Sequence, residues 1–111
     1  MQNGAMFRHV VMFRWTEETT PGDVAGIQEA LGGLPGAIPE IRDYRFGSDA
    51  GVNDGNFDFV VTADFENVDD YVVYRDHPVH QQIIRDRIID HVATRAAVQF
   101  DVESPSSPVA D

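Results

Sequence analysis

The sequence predicts a single α+β domain in which four strands and two main helices follow the order strand, helix, strand, strand, helix, strand. Alternation of apolar and polar residues indicates the strands. Segments with helical spacing, each preceded by a capping residue, lie between them. A length of 111 residues, of which 42% are hydrophobic, fits one globular domain.

The first strand and the first helix are predicted by two adjoining patterns. In residues 7–15 every second residue is apolar or aromatic, apart from one histidine, which is typical of a strand. Thr20 then caps a helix with Pro21 in its first turn, and Asp23 completes a variant of the capping box. Two glycines at positions 32–33 can end this helix. The proline-bounded residues 34–39 are predicted to be a non-helical connection.

The next two strands flank a polar loop. Residues 41–46 predict a weaker strand, because charged residues interrupt it while Tyr44 and Phe46 share one face. Residues 47–56 are rich in glycine and predict a loop. Residues 57–65 predict the strongest strand of the chain, since five apolar residues occupy one face of it.

A proline corner divides the second helical region. Asn67 predicts the cap of a helix over residues 68–76. Proline has no N–H and disfavours helix at the residue before it, so Pro78 predicts a break at His77. A second helix is then predicted from Pro78 to about residue 91, with His77 as its cap.

The last strand completes the domain. Residues 95–102 alternate in the period of a strand. The order is that of the ferredoxin-like βαββαβ fold, in which a four-stranded antiparallel sheet carries helices on one face. The domain is expected to span residues 6–102, with a flexible N-terminus at 1–5 and a disordered tail at 103–111.

The face of the sheet opposite the helices has the pattern of an interface between two copies of the chain. Apolar or uncharged residues occupy its middle and charged residues its ends. The middle contains Val10, Met12, Val60 and Thr62, and the ends contain Arg8, Arg14, Asp58 and Asp64. Adjoining apolar residues on an exposed sheet face are typical of a surface that another molecule buries. This pattern favours a homodimer over a solvated outer face.

Composition excludes several classes of function. A formal charge of −11 argues against nucleic acid and anionic membranes as partners. Zero cysteines exclude disulfides, thiolate nucleophiles and cysteine-based metal sites. No apolar run approaches the roughly 18 residues of a membrane span, and the N-terminus lacks the pattern of a signal peptide, so the expected compartment is the cytoplasm.

The proline corner is the predicted functional site. Tyr74 lies in the last turn before the break and His80 in the first turn after it, so both can face one hollow. A helix N-terminus and burial both lower the pKa of a histidine, which suits His80 to act as a base. The alternative is an architectural histidine that only binds a neighbouring turn.

Further residues are expected to line the same hollow. His9 shares a strand face with its apolar neighbours, so it is either a hydrogen-bonded core histidine or part of a pocket wall. The expected substrate-binding residues are His9, Val11, Phe13, Phe59 and Tyr71. His77 and His80 lack the further ligands that zinc requires, and no aspartate spacing marks an oxygen cage. No residues are therefore assigned to a metal, and no cofactor is expected.

Four motifs, in this order, carry a resemblance to a known family: FRHVVMF (7–13), LPGAIP (34–39), DFE (64–66) and YRDHPVH (74–80). They resemble the stress-responsive dimeric α/β-barrel (Dabb) family over about residues 6–102. The resemblance implies a homodimer in which two ferredoxin-like sheets pack into a barrel.

The family includes boiling-stable plant stress proteins, many uncharacterised bacterial chains and a plant polyketide cyclase, olivetolic acid cyclase. In that cyclase the second histidine of a His-Pro-x-His motif is the acid–base residue and a tyrosine assists it. The resemblance places these roles on His80 and Tyr74, and a pocket histidine on His9. A further pocket histidine of the cyclase aligns with Phe59 here, which argues against the same substrate.

Two function classes follow. The first is a cofactor-independent enzyme that acts on a small, largely apolar carbonyl or polyketide-like compound by proton abstraction and aldol closure, as a cyclase does. The second is a non-catalytic dimer that binds a small apolar or aromatic ligand or protects under stress. An open pocket would favour the first class, whereas Phe59 and Trp15 filling that space would favour the second.

Overall fold

The computed structural model describes residues 5–103. Its four strands are β1 (Ala5–Trp15), β2 (Asp43–Ser48), β3 (Phe59–Phe65) and β4 (Val92–Glu103). All neighbouring strands are antiparallel, and their spatial order is β2-β3-β1-β4. This arrangement confirms the predicted α+β class and the ferredoxin-like order of elements.

The helical segments lie where the sequence patterns predict most of them. They are α1 (Pro21–Gly32), α2 (Leu34–Ala37), α3 (Val68–Asp76) and α4 (Pro78–Ile83), followed by a π-helical turn at Ile84–Ile88 and a 3₁₀ turn at Ile89–His91. Thr20 forms a complete capping box with Asp23, and the Asn67 side chain accepts from the backbone N–H of Asp70. Both predicted caps are therefore confirmed.

Two helical predictions are wrong in detail. Residues 34–37 form the short helix α2 where a non-helical connection is predicted, because Pro35 lies in its first turn, where no backbone N–H is needed. The segment after Pro78 is not one α-helix. It changes to π geometry at Ile84 and to 3₁₀ geometry at Ile89, and such changes cannot be read from apolar spacing.

The strand bounds also differ from the predicted ones. β2 begins two residues later than predicted, at Asp43, and ends two residues later, at Ser48, because Ser48 pairs with Phe59 in the ladder. β3 begins at Phe59, two residues later than predicted, and β4 begins at Val92, opposite Trp15. The first and last strands of the chain reach Ala5 and Glu103, one residue beyond the predicted domain at each end. The remainder of each predicted terminal segment lies outside the described residues.

The core lies between the helices and the inner face of the sheet. Its strand residues come mainly from the inner faces of β1 and β3, as the alternation predicts: Val11, Phe13, Phe59, Val61, Ala63 and Phe65. The helical side contributes Ile27 and Leu31 from α1 and Tyr74 from α3. Burial of these side chains is the main free-energy source for folding such a small domain.

The outer face of the sheet carries an apolar patch. Val10 pairs with Thr62 on one side and Val98 on the other, so the three side chains adjoin. Val98 and Phe100 on β4 remain 57% and 48% exposed. At the end of the patch, Arg8 forms a bidentate ion pair with Asp64, with nitrogen–oxygen distances of 2.7 and 2.9 Å.

Within residues 5–103, no helix is both long enough and apolar enough to span a bilayer. The same residues contain no group of three or more metal-ligating side chains that could hold an ion.

Candidate functional site

A cavity of about 290 Å³ opens between the sheet and the helical segments around the proline corner. Its strand side includes His9, Val11 and Phe13 of β1, and its helical side includes His80 and Ile84. The volume is at the lower end of the range typical of small-molecule sites. The proline corner therefore adjoins a hollow, and Tyr74 and His80 both line it.

Six of the seven residues predicted for the site line this cavity. They are His9, Val11, Phe13, Tyr71, Tyr74 and His80. Phe59 is the exception, because it is only 2% exposed and its ring packs against Trp15 and Phe46. The structure thus places Phe59 in the packed core and outside the cavity wall. The Phe59–Trp15 contact fills space beside the cavity without closing it.

The break at Pro78 sets the geometry of the corner. The extended backbone of His77 separates α3 from α4, and its ring Nδ1 accepts the backbone N–H of Val79 at 3.1 Å. His77 is therefore the predicted cap. The change of direction brings the rings of Tyr74 and His80 to a centroid distance of 4.1 Å.

The hydrogen bond of His80 fixes its tautomer. Its Nδ1 lies 3.1 Å from the carbonyl oxygen of Arg75, and a carbonyl oxygen can only accept. Nδ1 therefore carries the proton and Nε2 keeps a lone pair. Burial lowers the pKa of His80, although the hydrogen bond to Arg75 opposes this shift. The neutral form, which can accept a proton at Nε2, is favoured at neutral pH.

Tyr74, which packs against His80, is hydrogen-bonded to a second tyrosine. The hydroxyls of Tyr44 on β2 and Tyr74 on α3 lie 2.9 Å apart. Burial raises the pKa of Tyr74 to about 12, and it raises the pKa of Tyr44 as well, so both stay protonated. Tyr44 is not among the residues that the sequence patterns predict for the site. The sequence places Tyr44 on the inward face of a strand, but this position does not indicate its contact with Tyr74.

His9 is both a hydrogen-bonded core histidine and part of the cavity wall, the two alternatives that the sequence leaves open. It is buried, it lines the cavity, and its Nδ1 lies 2.8 Å from Nε2 of Gln99, which donates to it. Burial, with a smaller effect of the Arg95 charge, lowers the pKa of His9 to about 4. His9 is thus a neutral, hydrogen-bonded histidine in the cavity wall.

We expect His9 to make the protein sensitive to acid. The imidazole titrates near pH 6.5 when unfolded but near pH 4 when folded. Between these values the unfolded state binds more protons, so the free energy of unfolding falls as the pH falls, by about 3 kcal/mol in all. His9→Asn should remove this contribution. Urea unfolding at pH 7 and pH 4.5 measures it, and an equal loss in both proteins would contradict the assignment.

A comparison with protein families identifies the family of the chain. The family model described as the stress responsive A/B barrel domain, Dabb, matches residues 7–102, which is nearly the whole chain. The chain belongs to the Dabb family. The resemblance seen in the sequence motifs is thereby confirmed. A comparison with curated proteins finds no match.

Solved structures extend the comparison. A dimeric ferredoxin-like protein of unknown function from Thermobifida fusca is 42% identical, with a TM-score of 0.82, and the match covers 89% of this Dabb chain and 92% of that one. A dimeric protein of unknown function from Bacteroides fragilis is 24% identical, with a TM-score of 0.74 and coverage of 87% and 96%. The hydroxynitrile lyase from Passiflora edulis is 17% identical, with a TM-score of 0.77 and coverage of 93% and 97%. These likenesses agree with the observed fold.

Proposed function

We propose that this Dabb protein is a cofactor-independent acid–base enzyme that acts on a small, largely apolar carbonyl compound in the cavity beside the proline corner. The observation that carries the proposal is the fixed tautomer of His80. A neutral imidazole whose Nδ1–H is held by a backbone carbonyl retains Nε2 as a proton acceptor, and this ring lines the cavity. A positioned base of this kind is the main requirement for removing a proton beside a carbonyl group.

The reaction that fits this site begins with transfer of a proton from the carbon next to the carbonyl to Nε2 of His80. The electrons of the broken C–H bond form an enolate, whose oxygen accepts a hydrogen bond from the Tyr74 hydroxyl. Tyr44 can donate to Tyr74 and leave the Tyr74 proton free for this role. In a cyclase-type reaction the enolate carbon then bonds to a second carbonyl carbon, and the new alkoxide takes the proton back from His80.

The walls of the cavity support an apolar substrate. Val11, Phe13 and Val61 come from the strands, and Ile84 and Ile88 come from the π-helical turn. These side chains offer no hydrogen bonds, so they favour an aliphatic or aromatic body and exclude water from the reacting carbon.

The same proposal includes a homodimer formed through the outer face of the sheet. The apolar patch around Val10, Val98 and Phe100 is the support within this chain. The relatives from Thermobifida fusca and Bacteroides fragilis are described as dimeric. Such a dimer covers the outer face, whereas the cavity lies on the opposite, helical face.

One observation favours a second candidate, a non-catalytic ligand-binding dimer. The carbonyl oxygen of Arg75 accepts a hydrogen bond from Nδ1 of His80 and a second one, at 2.6 Å, from the side-chain Nε2 of Gln81. These bonds satisfy a carbonyl at the end of α3, which is an architectural role for His80. The hydroxynitrile lyase of the same fold is a precedent for an enzyme and weighs toward the first candidate.

Deuterium exchange tests the two candidates. We expect the protein to exchange the protons beside the carbonyl of aryl ketones and 1,3-diketones in D₂O faster than buffer does, as followed by proton NMR. His80→Ala should abolish the acceleration. Saturable binding of these compounds without accelerated exchange would contradict the enzymatic candidate and support the ligand-binding one.

The tyrosine pair gives a separate prediction. Tyr74→Phe should lower the rate by roughly 10²-fold, since one donor to the enolate oxygen is lost. Tyr44→Phe should lower it less, because Tyr44 acts through Tyr74. In a double-mutant cycle on kcat, the double variant should therefore be no slower than Tyr74→Phe alone. Additive losses would show that Tyr44 acts independently of Tyr74.

A further inference from the structure

The charged residues of the cavity wall have the opposite sign to the chain as a whole. The sequence contains 19 Asp and Glu residues against 8 Arg and Lys. The described residues that line the cavity nevertheless include Arg75 and Arg95, beside the neutral His9 and His80, and no carboxylate. A hollow whose only full charges are positive, in a strongly acidic protein, favours an anionic ligand by its local field.

The two arginines differ in their partners. Arg75 forms a bidentate ion pair with the neighbouring Asp76, at 2.8 and 3.0 Å, so its charge is already compensated. The side chain of Arg95 makes no hydrogen bond or ion pair with any other residue in 5–103. The cavity therefore has one uncompensated guanidinium.

The position of Arg95 is suited to a ligand at the cavity opening. It lies on the edge strand β4, directly opposite Phe13 in the ladder, and its side chain is exposed. Phe13 belongs to the same cavity wall. The guanidinium thus adjoins an apolar wall on one side and solvent on the other. Its effect on the pKa of His9 agrees with a location close to the buried part of the cavity.

We propose that the ligand is a monocarboxylate whose apolar body occupies the cavity and whose carboxylate pairs with Arg95 at the opening. This inference rests on the proposed function and specifies its substrate class, a carbonyl compound that also carries one carboxylate. The planar guanidinium matches a carboxylate with two parallel hydrogen bonds. One uncompensated guanidinium matches a single negative charge, and the apolar walls match the remainder of such a molecule.

The test compares two probes of the same shape, 2-naphthoate and the neutral 2-naphthamide, by calorimetric titration of the full chain. We expect the wild type to bind 2-naphthoate roughly tenfold more tightly, as charge-assisted hydrogen bonds allow. The preference should decrease between 50 and 500 mM NaCl, because the opening is exposed to solvent. Arg95→Gln should remove the preference and leave the affinity for 2-naphthamide unchanged.

Arg85→Gln is the matched control, since Arg85 is exposed and lies outside the cavity lining. It should retain the full preference for 2-naphthoate. Equal binding of the two probes to the wild type, or a preference that survives Arg95→Gln, would overturn the role of Arg95 while leaving an apolar ligand cavity in place. Failure of both probes to bind at millimolar concentration would overturn the carboxylate proposal together with the proposed function.

Discussion

His80→Ala is expected to lower the turnover of a carbonyl substrate by roughly 10²- to 10⁴-fold, the usual contribution of general acid–base catalysis. The fold should change little. His80 is half-buried, and the Arg75 carbonyl that it binds keeps a second donor, Nε2 of Gln81. The loss should therefore appear in kcat rather than in the melting temperature.

His77→Ala is the matched control for this substitution. His77 lies three residues away, and its side chain accepts the N–H of Val79 as the cap of α4. Its removal should cost about 1 kcal/mol of stability, as lost caps do, and leave kcat nearly unchanged. If both variants lose stability in proportion and neither differs from the wild type in activity, the corner is architectural.

The pH profile of kcat/KM gives an independent measurement of the same role. His80 must be neutral to accept a proton, and burial lowers its pKa. The acidic limb of the profile should therefore have its midpoint below pH 6.5, the ordinary value for histidine. An acidic limb at or above that value would assign the essential base to another group.

The sequence patterns predicted those parts of the fold that depend on local interactions. Capping by Thr20 and Asn67, the break at Pro78 and the alternation of β1 each involve residues that are close in sequence, so their patterns could be read directly. The π-helical turn at Ile84–Ile88 could not be predicted, because apolar spacing does not distinguish α from π geometry over five residues.

The sequence predicts only part of the candidate site, because several of its contacts join residues that are far apart in the chain. Alternation assigns His9 and Phe59 to inward faces, but it does not say where the helices leave a gap, and the gap lies over His9. Tyr44 could not be assigned, since its contact with Tyr74 joins residues thirty positions apart. The apolar face of β4 points outward, which leaves Arg95 on the cavity side.

Val98→Asp is expected to dissociate the proposed dimer. Val98 is 57% exposed in the single chain, so a carboxylate there should be tolerated by the monomer. In a two-fold symmetric dimer the same change enters the interface twice. Each buried, unpaired carboxylate costs about 3 kcal/mol or more, so the two together should weaken association by roughly 10⁴-fold. Sedimentation velocity at micromolar concentration should show a dimer for the wild type and a monomer for the variant.

Val52→Asp separates an interface effect from a general effect of added charge. Val52 is 78% exposed in the loop between β2 and β3, so it offers the same residue type outside the sheet. This variant should sediment as a dimer. A wild-type monomer at these concentrations, or a dimer that persists in Val98→Asp, would exclude the outer face around Val10 and Val98 as the interface. Because the cavity lies on the opposite face, the monomeric variant should still bind a cavity ligand.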